Sequence, residues 1–353
     1  MAGLVAAARL RELGTETVVL EKGTRPGGSM LLSSCVVWRF REWEAFRAEC
    51  PTGDERLQRR VWERLDEGIE WLESLGAPVV WQETGNPRTV GKRFDPRGLT
   101  DALVRAGGDL RVTATSDVHD GHDATVLCTG GFQGSRPLVA EHVRPAAPLR
   151  LRANPWSIGD GLRLGLELGA ALSAGMDEFY GRNMPDADFQ ESDFVRQAQL
   201  YGRFARVFNE RGEEFFEEDV SWSENDLVQA TARQPGARAW YVLDDATLGQ
   251  RVRDRTVADL VAAALTATDP SELPFPAPEG SRVAVRVSPG ITHTIGGLRI
   301  DERARVLRED GSPIDWLFAA GADVGGISTG GYASGLAAAL VFGRIAAESA
   351  AAS

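Results

Sequence analysis

The chain has 353 residues, enough for one large core or two domains, and its 43% hydrophobic and 25% charged content predicts a globular protein. A net charge of −12 without a basic stripe argues against nucleic acid as a partner. No apolar run reaches the ~18 residues that a membrane helix needs, and no signal-like segment follows Met1. We therefore expect no membrane span and a cytoplasmic location.

The first residues predict part of a dinucleotide-binding unit. An Ala-rich helix from Ala2 to Leu13 is followed by a short buried strand, Thr17 to Leu20. The strand leads into Glu21, an acid placed where such units bind an adenosine ribose. The strand and the Gly-x-Gly-x-x-Gly turn that should precede the helix are absent, and Gly3 would be the last glycine of that turn. We expect the chain to begin inside this unit, clipped by about one strand and one turn.

The middle of the chain alternates helices, strands and glycine turns. The pattern predicts helices at about 41–76, at Thr100 to Ala106 and from Gly159 to Ala171, and strands at Leu110 to Thr113 and Thr125 to Cys128. From about residue 181 to 288, scattered aromatics, acids and prolines predict an inserted domain. The expected fold is α/β: a dinucleotide-binding domain over 1–180 and 289–353, with an α+β cap over 181–288 and the ligand in the crevice between them.

Metal chemistry is not expected. The three cysteines, Cys35, Cys50 and Cys128, have no metal-ligand spacing, and none of the four histidines pair at i,i+4.

Three glycine-rich segments occupy the C-terminal region. They are Pro289 to Leu298, Ala319 to Asp323 and Gly330 to Leu336, and the last opens an Ala-rich helix from Ser334 to Ala350. Turns of this kind let the backbone come close to a flat cofactor with polar edges.

The order of these motifs resembles the flavoproteins of the fumarate reductase/succinate dehydrogenase superfamily (FAD-binding type 2), and among them the tricarballylate dehydrogenase and 3-ketosteroid dehydrogenase members most. Besides the C-terminal segments, the motifs are Glu21-Lys-Gly with Gly27-Gly-Ser29, Cys128-Thr-Gly-Gly-Phe132, Ser157-Ile-Gly-Asp-Gly-Leu162 with Leu168-Gly-Ala170, and Phe208 to Phe215. The resemblance implies a Rossmann-like, FAD-dependent oxidoreductase. Its members transfer hydride between flavin N5 and a carbon–carbon bond next to a carbonyl or carboxylate. A small-molecule substrate and an unidentified electron donor or acceptor would be its partners.

The resemblance also implies a set of FAD-binding residues. Glu21 would bind the ribose, Asp323 would replace a family glutamate at the ribityl chain, and the amides at Ser334 to Leu336 would face the flavin pyrimidine edge. Glu21 as an ordinary exposed acid and Ser334 as a plain helix cap are the alternatives. No counterpart of the flavin-linking histidine occurs between Gly27 and Val37, so the FAD should be non-covalent. The full set is Gly3, Glu21, Lys22, Gly27, Gly28, Ser29, Ser33, Thr129, Gly130, Gly131, Asp160, Gly321, Asp323, Ser334, Gly335 and Leu336.

Three residues are candidates for catalysis. His293 matches the family histidine that holds a substrate carboxylate or carbonyl, and its alternative is a histidine bonded to local backbone. Tyr332 is a candidate proton donor or acceptor, and Arg182 a candidate for binding an acid group. The two arginines that anchor dicarboxylates in fumarate reductases have no counterpart in Val220 to Asn225 or in Gly325 to Leu336.

Two other interpretations stay open. The first is an N-terminally clipped flavoprotein that loads FAD poorly or is inactive, because the missing turn would remove amides from the diphosphate site. The second is a binding module that resembles a flavoprotein but catalyses nothing.

Overall fold

The computed structural model describes residues 1–115, 123–216 and 219–352, and the chain divides into two compact units. The first comprises Met1–His142, Ala153–Phe179 and His293–Ser353, and the second comprises Val143–Arg152 and Tyr180–Thr292. The sequence pattern did not separate Val143–Arg152 from the dinucleotide-binding domain. The role of the second unit as a substrate cap stays a prediction.

The described residues form helices and strands in alternation. The helices are α1 (Ala2–Glu12), α2 (Trp43–Glu49), α3 (Glu55–Ser74), α4 (Pro96–Gly107), α5 (Arg136–His142), α6 (Asp160–Glu167), α7 (Asn225–Ala232), α8 (Asp245–Leu248), α9 (Val257–Ala263) and α10 (Gly335–Ala350). The strands are β1 (Val18–Glu21), β2 (Val36–Phe40), β3 (Val79–Trp81), β4 (Thr89–Phe94), β5 (Asp109–Val112), β6 (Thr125–Leu127), β7 (Arg150–Leu151), β8 (Phe179–Pro185), β9 (Arg206–Phe208), β10 (Ala239–Leu243), β11 (Arg251–Val252), β12 (Arg255–Thr256), β13 (Ala267–Thr268), β14 (Val283–Thr294), β15 (Arg305–Leu307) and β16 (Pro313–Ala319).

Small residues let three helices of the first unit pack closely. Helix α1 lies against α4 and α10. A β-carbon on Gly343 of α10 would lie 2.8 Å from the carbonyl oxygen of Ala2, and one on Gly107 of α4 would lie 3.2 Å from the β-carbon of Ala7. The Ala-rich composition of α1 and α10 is therefore what this packing requires.

Helix α3 illustrates how local sequence sets an element. Asp54 caps its start by accepting hydrogen bonds from the amides of Arg56, at 2.9 Å, and Leu57, at 3.4 Å. Apolar residues at helical spacing, from Leu57 to Leu72, form its buried face. The helical stretch predicted at 41–76 is in fact two helices, because Pro51 and Gly53 interrupt it.

The sheets of the first unit are small. Strands β1 and β5 pair in parallel, with Val18 opposite Asp109, and β6 pairs in parallel with β16, which is also antiparallel to β15. Strands β2, β4 and β3 form an antiparallel sheet that the sequence pattern did not predict. The first unit combines parallel strand pairs with helices that pack against α1, and this combination confirms the predicted α/β class.

The second unit is built on a six-stranded sheet. Strands β13, β14, β10 and β9 lie in that order, and β7 and β8 pair with β14. Strand β14 runs from Val283 to Thr294, so the segment beginning at Pro289, expected as a turn, is extended up to Thr294. Within the described ranges, none of the helices has the length and apolar character needed to cross a membrane.

Candidate active site

A buried carboxylate, Asp323, joins two glycine turns of the first unit. It ends the 3-10 turn Gly321–Asp323 and is 1% exposed. Its Oδ1 accepts hydrogen bonds from Thr129 Oγ1 at 2.9 Å and from the Gly131 amide at 3.0 Å, and its Oδ2 accepts one from the Thr129 amide. Burial raises the pKa of Asp323, and these donors oppose that shift by stabilising the ionised form. The carboxylate therefore fixes one turn against the other.

The start of α6 approaches the same carboxylate. The Gly161 amide donates to Thr129 Oγ1 at 2.9 Å, and a β-carbon on Gly161 would lie 2.7 Å from Asp323 Oδ2. A side chain at this position would displace the carboxylate, so the close approach depends on glycine. Next to it, Asp160 forms ion pairs with Lys22 and Arg163, which connect α6 to the end of β1.

The end of β1 forms a compact loop. Glu21 Oε1 accepts a hydrogen bond from the Gly23 amide at 2.7 Å. Gly23 is covered by the ring of Trp156, because a β-carbon on this glycine would lie 2.4 Å from the ring. Only one of the two Glu21 carboxylate oxygens takes part in the bond to Gly23, so the predicted contact with a ribose is compatible with this arrangement and stays a prediction.

The loop after Gly23 turns on two glycines. Gly27 and Gly28 have φ angles of 103° and 52°, in the left-handed region that favours glycine. Ser29 Oγ accepts a hydrogen bond from the amide of Asn154 at 3.1 Å. Ser33 Oγ accepts from the Cys35 amide at 3.0 Å, so its hydroxyl terminates the 3-10 helix Gly28–Leu32. In this structure Ser33 therefore has a local structural role.

His293 lies against the start of α10. Ser334 caps this 16-residue helix by accepting from the Ala337 amide at 3.3 Å, and the amides of Gly335 and Leu336 have no carbonyl partner one turn earlier. A β-carbon on Gly335 would lie 3.2 Å from His293 Nε2. The Tyr332 ring is 5.9 Å from the imidazole, measured between centroids. Two predicted catalytic residues are thus brought together with the predicted flavin-facing turn.

The backbone around His293 determines which nitrogen carries a proton. Its Nδ1 lies 3.0 Å from the carbonyl oxygen of Thr294, which can only accept a hydrogen bond, so Nδ1 is the protonated nitrogen of the neutral ring. Burial lowers the pKa of His293 below its usual value of 6.5, which favours that neutral ring. Nε2 is therefore an acceptor near neutral pH, and it can donate to a substrate oxygen only after a second protonation.

Arg182 belongs to the second unit, whereas all other predicted site residues belong to the first. Its Nη1 donates to the carbonyl of Ser223, and its guanidinium lies 5.3 Å from the centre of the Tyr180 ring. The neighbouring Glu224 is 2% exposed, and its Oε1 lies 3.9 Å from Arg203 Nε. Burial raises the pKa of Glu224 to about 7, although Arg182 and Arg203 act to lower it.

The remaining predicted glycines lie in closely packed turns. A β-carbon on Gly3 would lie 3.2 Å from the β-carbon of Cys128, and one on Gly321 would lie 3.1 Å from that of Ala2. Gly130 has a φ angle of 98° and continues the Thr129 turn. The FAD-binding roles assigned to the individual residues stay predictions.

Comparison with known proteins identifies the family. Residues 107–336 match the sequence profile described as an FAD binding domain, and residues 1–38 match an NAD(P)-binding Rossmann-like domain. The chain belongs to the FAD-binding-domain family. The predicted flavoprotein superfamily, the Rossmann-like α/β fold, FAD as cofactor and the class of FAD-dependent oxidoreductase are confirmed.

Similar proteins carry two kinds of name. A fumarate reductase (cytochrome) of Shewanella frigidimarina is 26% identical, over 99% of this chain and 75% of the relative. A 3-oxosteroid 1-dehydrogenase of Mycobacterium tuberculosis is 25% identical, over 80% of this chain and 67% of the relative. The crystal structure of a 3-ketosteroid delta1-dehydrogenase from Sterolibacterium denitrificans has the same fold, with a TM-score of 0.73 and 16% identity over 99% of this chain and 98% of that one.

Orphaned polar atoms around Gly131 fit an FAD group. A β-carbon on Gly131 would lie 2.8 Å from Thr294 Oγ1 and 2.9 Å from Gln133 Oε1, so both side chains reach the same turn. Neither of these buried oxygens has a hydrogen-bond partner in the described part of the chain. Buried polar atoms are rarely left in this state, and a cofactor with polar edges can supply their partners.

Sequence reasoning missed several residues of this region. Gln133 directly follows the motif that ends at Phe132, and Thr294 lies inside the glycine-rich segment Pro289 to Leu298, so both positions carried a sequence signal. No sequence signal indicated Asn154, because its backbone amide reaches Ser29 Oγ only in the folded chain.

Glu224 should make the stability of the protein depend on pH. Its pKa is about 7 when folded and 4.5 by ordinary reference, so the folded state holds its proton more tightly. The stabilisation of the folded state by this bound proton is fully present below pH ~4.5. It is lost as the pH rises through ~7, which lowers the free energy of unfolding by about 3 kcal/mol in total. Glu224→Gln cannot lose this proton, so its free energy of unfolding should rise relative to wild type by about this amount between these pH values.

Urea unfolding followed by tryptophan fluorescence at pH 4.5 and pH 8 measures this difference. Glu272→Gln is the matched control, because Glu272 is exposed in the same unit, and it should follow wild type at both pH values. A constant difference between Glu224→Gln and wild type across the range would show that folding does not raise the pKa of Glu224.

Proposed function

We propose that the protein oxidises or reduces a carbon–carbon bond next to a carbonyl or carboxylate of a small molecule. Bound FAD supplies hydride transfer at N5. The observation that carries the proposal is the position of His293 and Tyr332 at the first turn of α10, within a chain of the FAD-binding-domain family. The names of two relatives, a fumarate reductase and a 3-oxosteroid dehydrogenase, support this reaction class.

In this proposal the protein's own groups handle charge and protons. The first amides of α10, at Gly335 and Leu336, offer unpaired donors at the positive end of a helix, where they stabilise developing negative charge. His293 Nε2 accepts a proton in the oxidising direction and donates one in the reducing direction, when the ring is doubly protonated. The orphaned oxygens of Gln133 and Thr294 would orient the FAD.

FAD is proposed to be non-covalent, because Gly27 to Val37 contains no histidine. The proposal also keeps the cytoplasmic location, since Cys35, Cys50 and Cys128 are free thiols rather than disulfides. The electron donor or acceptor is an unidentified redox partner.

His293 should give opposite pH dependences in the two directions. Its pKa lies below 6.5, so the fraction of doubly protonated ring grows as pH falls. Reduction of substrate by pre-reduced enzyme should therefore speed up from pH 8 to pH 5.5, whereas oxidation of the product should slow down. Stopped-flow traces of flavin absorbance in both directions measure this.

His293→Ala should keep its flavin spectrum and lose both pH dependences, with a rate ~10²–10³ lower. His293→Gln can still donate a hydrogen bond but cannot transfer a proton, so it should recover at most the hydrogen-bonding part of the reducing rate and show no pH dependence. Normal turnover of His293→Ala would assign the histidine to the fold, and loss of FAD from this variant would assign it to the cofactor site.

Fumarate should be a poor substrate. Neither Val220 to Asn225 nor Gly325 to Leu336 contains an arginine to pair with a dicarboxylate. Each missing pair forfeits ~1.5–3 kcal/mol, so two should reduce kcat/KM for fumarate on the order of 10²–10⁴. Oxidation of reduced viologen dye with fumarate measures this, with a fumarate reductase assayed alongside. Turnover that matches the reference enzyme would show that other residues anchor the dicarboxylate and would contradict the expectation drawn from the missing arginines.

A further inference from the structure

The second unit gathers three arginines around one carboxylate. Asp186, whose side chain is 10% exposed, lies 3.4 Å from Arg150 Nη2, 2.8 Å from Arg238 Nε and 3.3 Å from Arg286 Nε. We call these four residues the Asp186 cluster. The exposed Asp188 stands at its rim, 3.2 Å from Arg150 Nη1. The cluster thus holds an excess of positive charge in a chain whose net charge is −12.

The strands of the six-stranded sheet bring the cluster together. Arg150 lies in β7, Asp186 follows β8, Arg238 precedes β10 and Arg286 lies in β14. Trp240 is opposite Arg286 in the antiparallel pairing of β10 with β14, and its ring centre is 5.9 Å from the Arg286 guanidinium. Because alternate residues of a strand share a face, the register places Arg238 on the same face as Trp240 and Arg286.

The guanidinium-bearing side chains of the cluster are partly exposed to solvent. The contact recorded between each of Arg238 and Arg286 and Asp186 is made by the arginine Nε. Their side chains are 47% and 40% exposed, whereas Asp186 is largely covered. Asp186 therefore holds the partly exposed guanidinium groups of Arg238 and Arg286 close together at the surface of the second unit.

Neighbouring guanidinium groups repel one another, and Asp186 together with the exposed Asp188 balances only two of the three charges. An anion on the outer side would balance the remaining charge and reduce the repulsion between the guanidinium groups. Planar guanidinium forks match the oxygens of a phosphate group, which carries about −1.5 to −2 charge as a monoester near pH 7.

We propose that the Asp186 cluster is a binding site for the phosphate group of a small molecule. The site lies wholly within the second unit, and its basis is independent of the flavin chemistry. Asp186 organises the arginines, Arg238 and Arg286 contact the phosphate oxygens, and Asp188 opposes binding through its negative charge.

Isothermal titration of the FAD-loaded protein with inorganic phosphate tests the proposal, against sodium chloride at the same ionic strength. Wild type should show saturable binding. Arg238→Gln and Arg286→Gln should each raise the Kd about tenfold or more, because each loses charge-assisted hydrogen bonds. Arg282→Gln is the matched control, since Arg282 directly precedes β14 and pairs one-to-one with Asp245 at 2.9 Å, and its Kd should equal that of wild type.

A gain-of-function variant guards against misfolding as an explanation. Asp188→Asn removes an exposed charge without touching Asp186, so it should fold as wild type does and bind phosphate more tightly. The proposal is overturned if wild type binds phosphate no better than chloride, or if Arg282→Gln loses as much affinity as Arg238→Gln. It is equally overturned if Arg238→Gln and Arg286→Gln melt earlier but bind phosphate unchanged, which would make the cluster a structural ion-pair network only.

Discussion

The first unit depends on one buried negative charge. Asp323 receives hydrogen bonds from the Thr129 hydroxyl and from the amides of Thr129 and Gly131, and Gly161 allows α6 to approach it closely. These contacts join segments that are far apart in the sequence, so local preferences cannot form them. A buried carboxylate is costly unless it is surrounded by donors, and here the glycine turn supplies them. The geometry of the candidate active site follows from this arrangement.

Around that fixed centre, the chain offers unsatisfied polar groups where a cofactor would contact it. The amides of Gly335 and Leu336 precede the first intrahelical hydrogen bonds of α10, and the side-chain oxygens of Gln133 and Thr294 have no hydrogen-bond partner within the described ranges, whereas the Asp323 oxygens accept several. Asp323 therefore holds the site together, whereas the α10 amides and the oxygens of Gln133 and Thr294 are the groups that a cofactor can contact. The Thr294 carbonyl adds a further constraint, because it fixes the tautomer of His293 and so decides when its Nε2 can donate.

Much of this fold could be predicted from the sequence. Helical periodicity and Ala-rich composition indicated α1, α3 and α10, and the glycine motifs indicated the turns at Gly131, Gly321 and Gly335. The order of these motifs along the chain was enough to indicate the family. Pairing of β2 with β4, and the assignment of Val143–Arg152 to the second unit, could not be predicted because both depend on contacts between distant segments.

For the candidate site, the sequence supplied a list of residues, whose roles stay predictions, but not the contacts that these residues make. His293, expected to meet the substrate beside the flavin, lies against the start of α10 with Tyr332 next to it, and the catalytic roles of both stay predictions. Asp323 was expected at a ribityl chain, yet its oxygens bond to the Thr129 turn, a partner that no local pattern specifies. Lys22 and Asp160, both expected at FAD, form an ion pair with each other. Folding brings these opposite charges close enough to form an ion pair within the protein. A list of motif residues does not show which of them will be neighbours in the folded chain.

The free energy of unfolding of flavin-free Asp323→Ala tests the central claim most directly. Asp315→Ala, which removes an exposed carboxylate from the same unit, is its control. If Asp323 holds the two turns together, its loss leaves buried donors unpaired, and the flavin-free variant should be less stable than wild type by about 3 kcal/mol or more. Unchanged or higher stability without flavin, combined with weaker FAD binding, would contradict this account and make Asp323 a ligand of the cofactor alone.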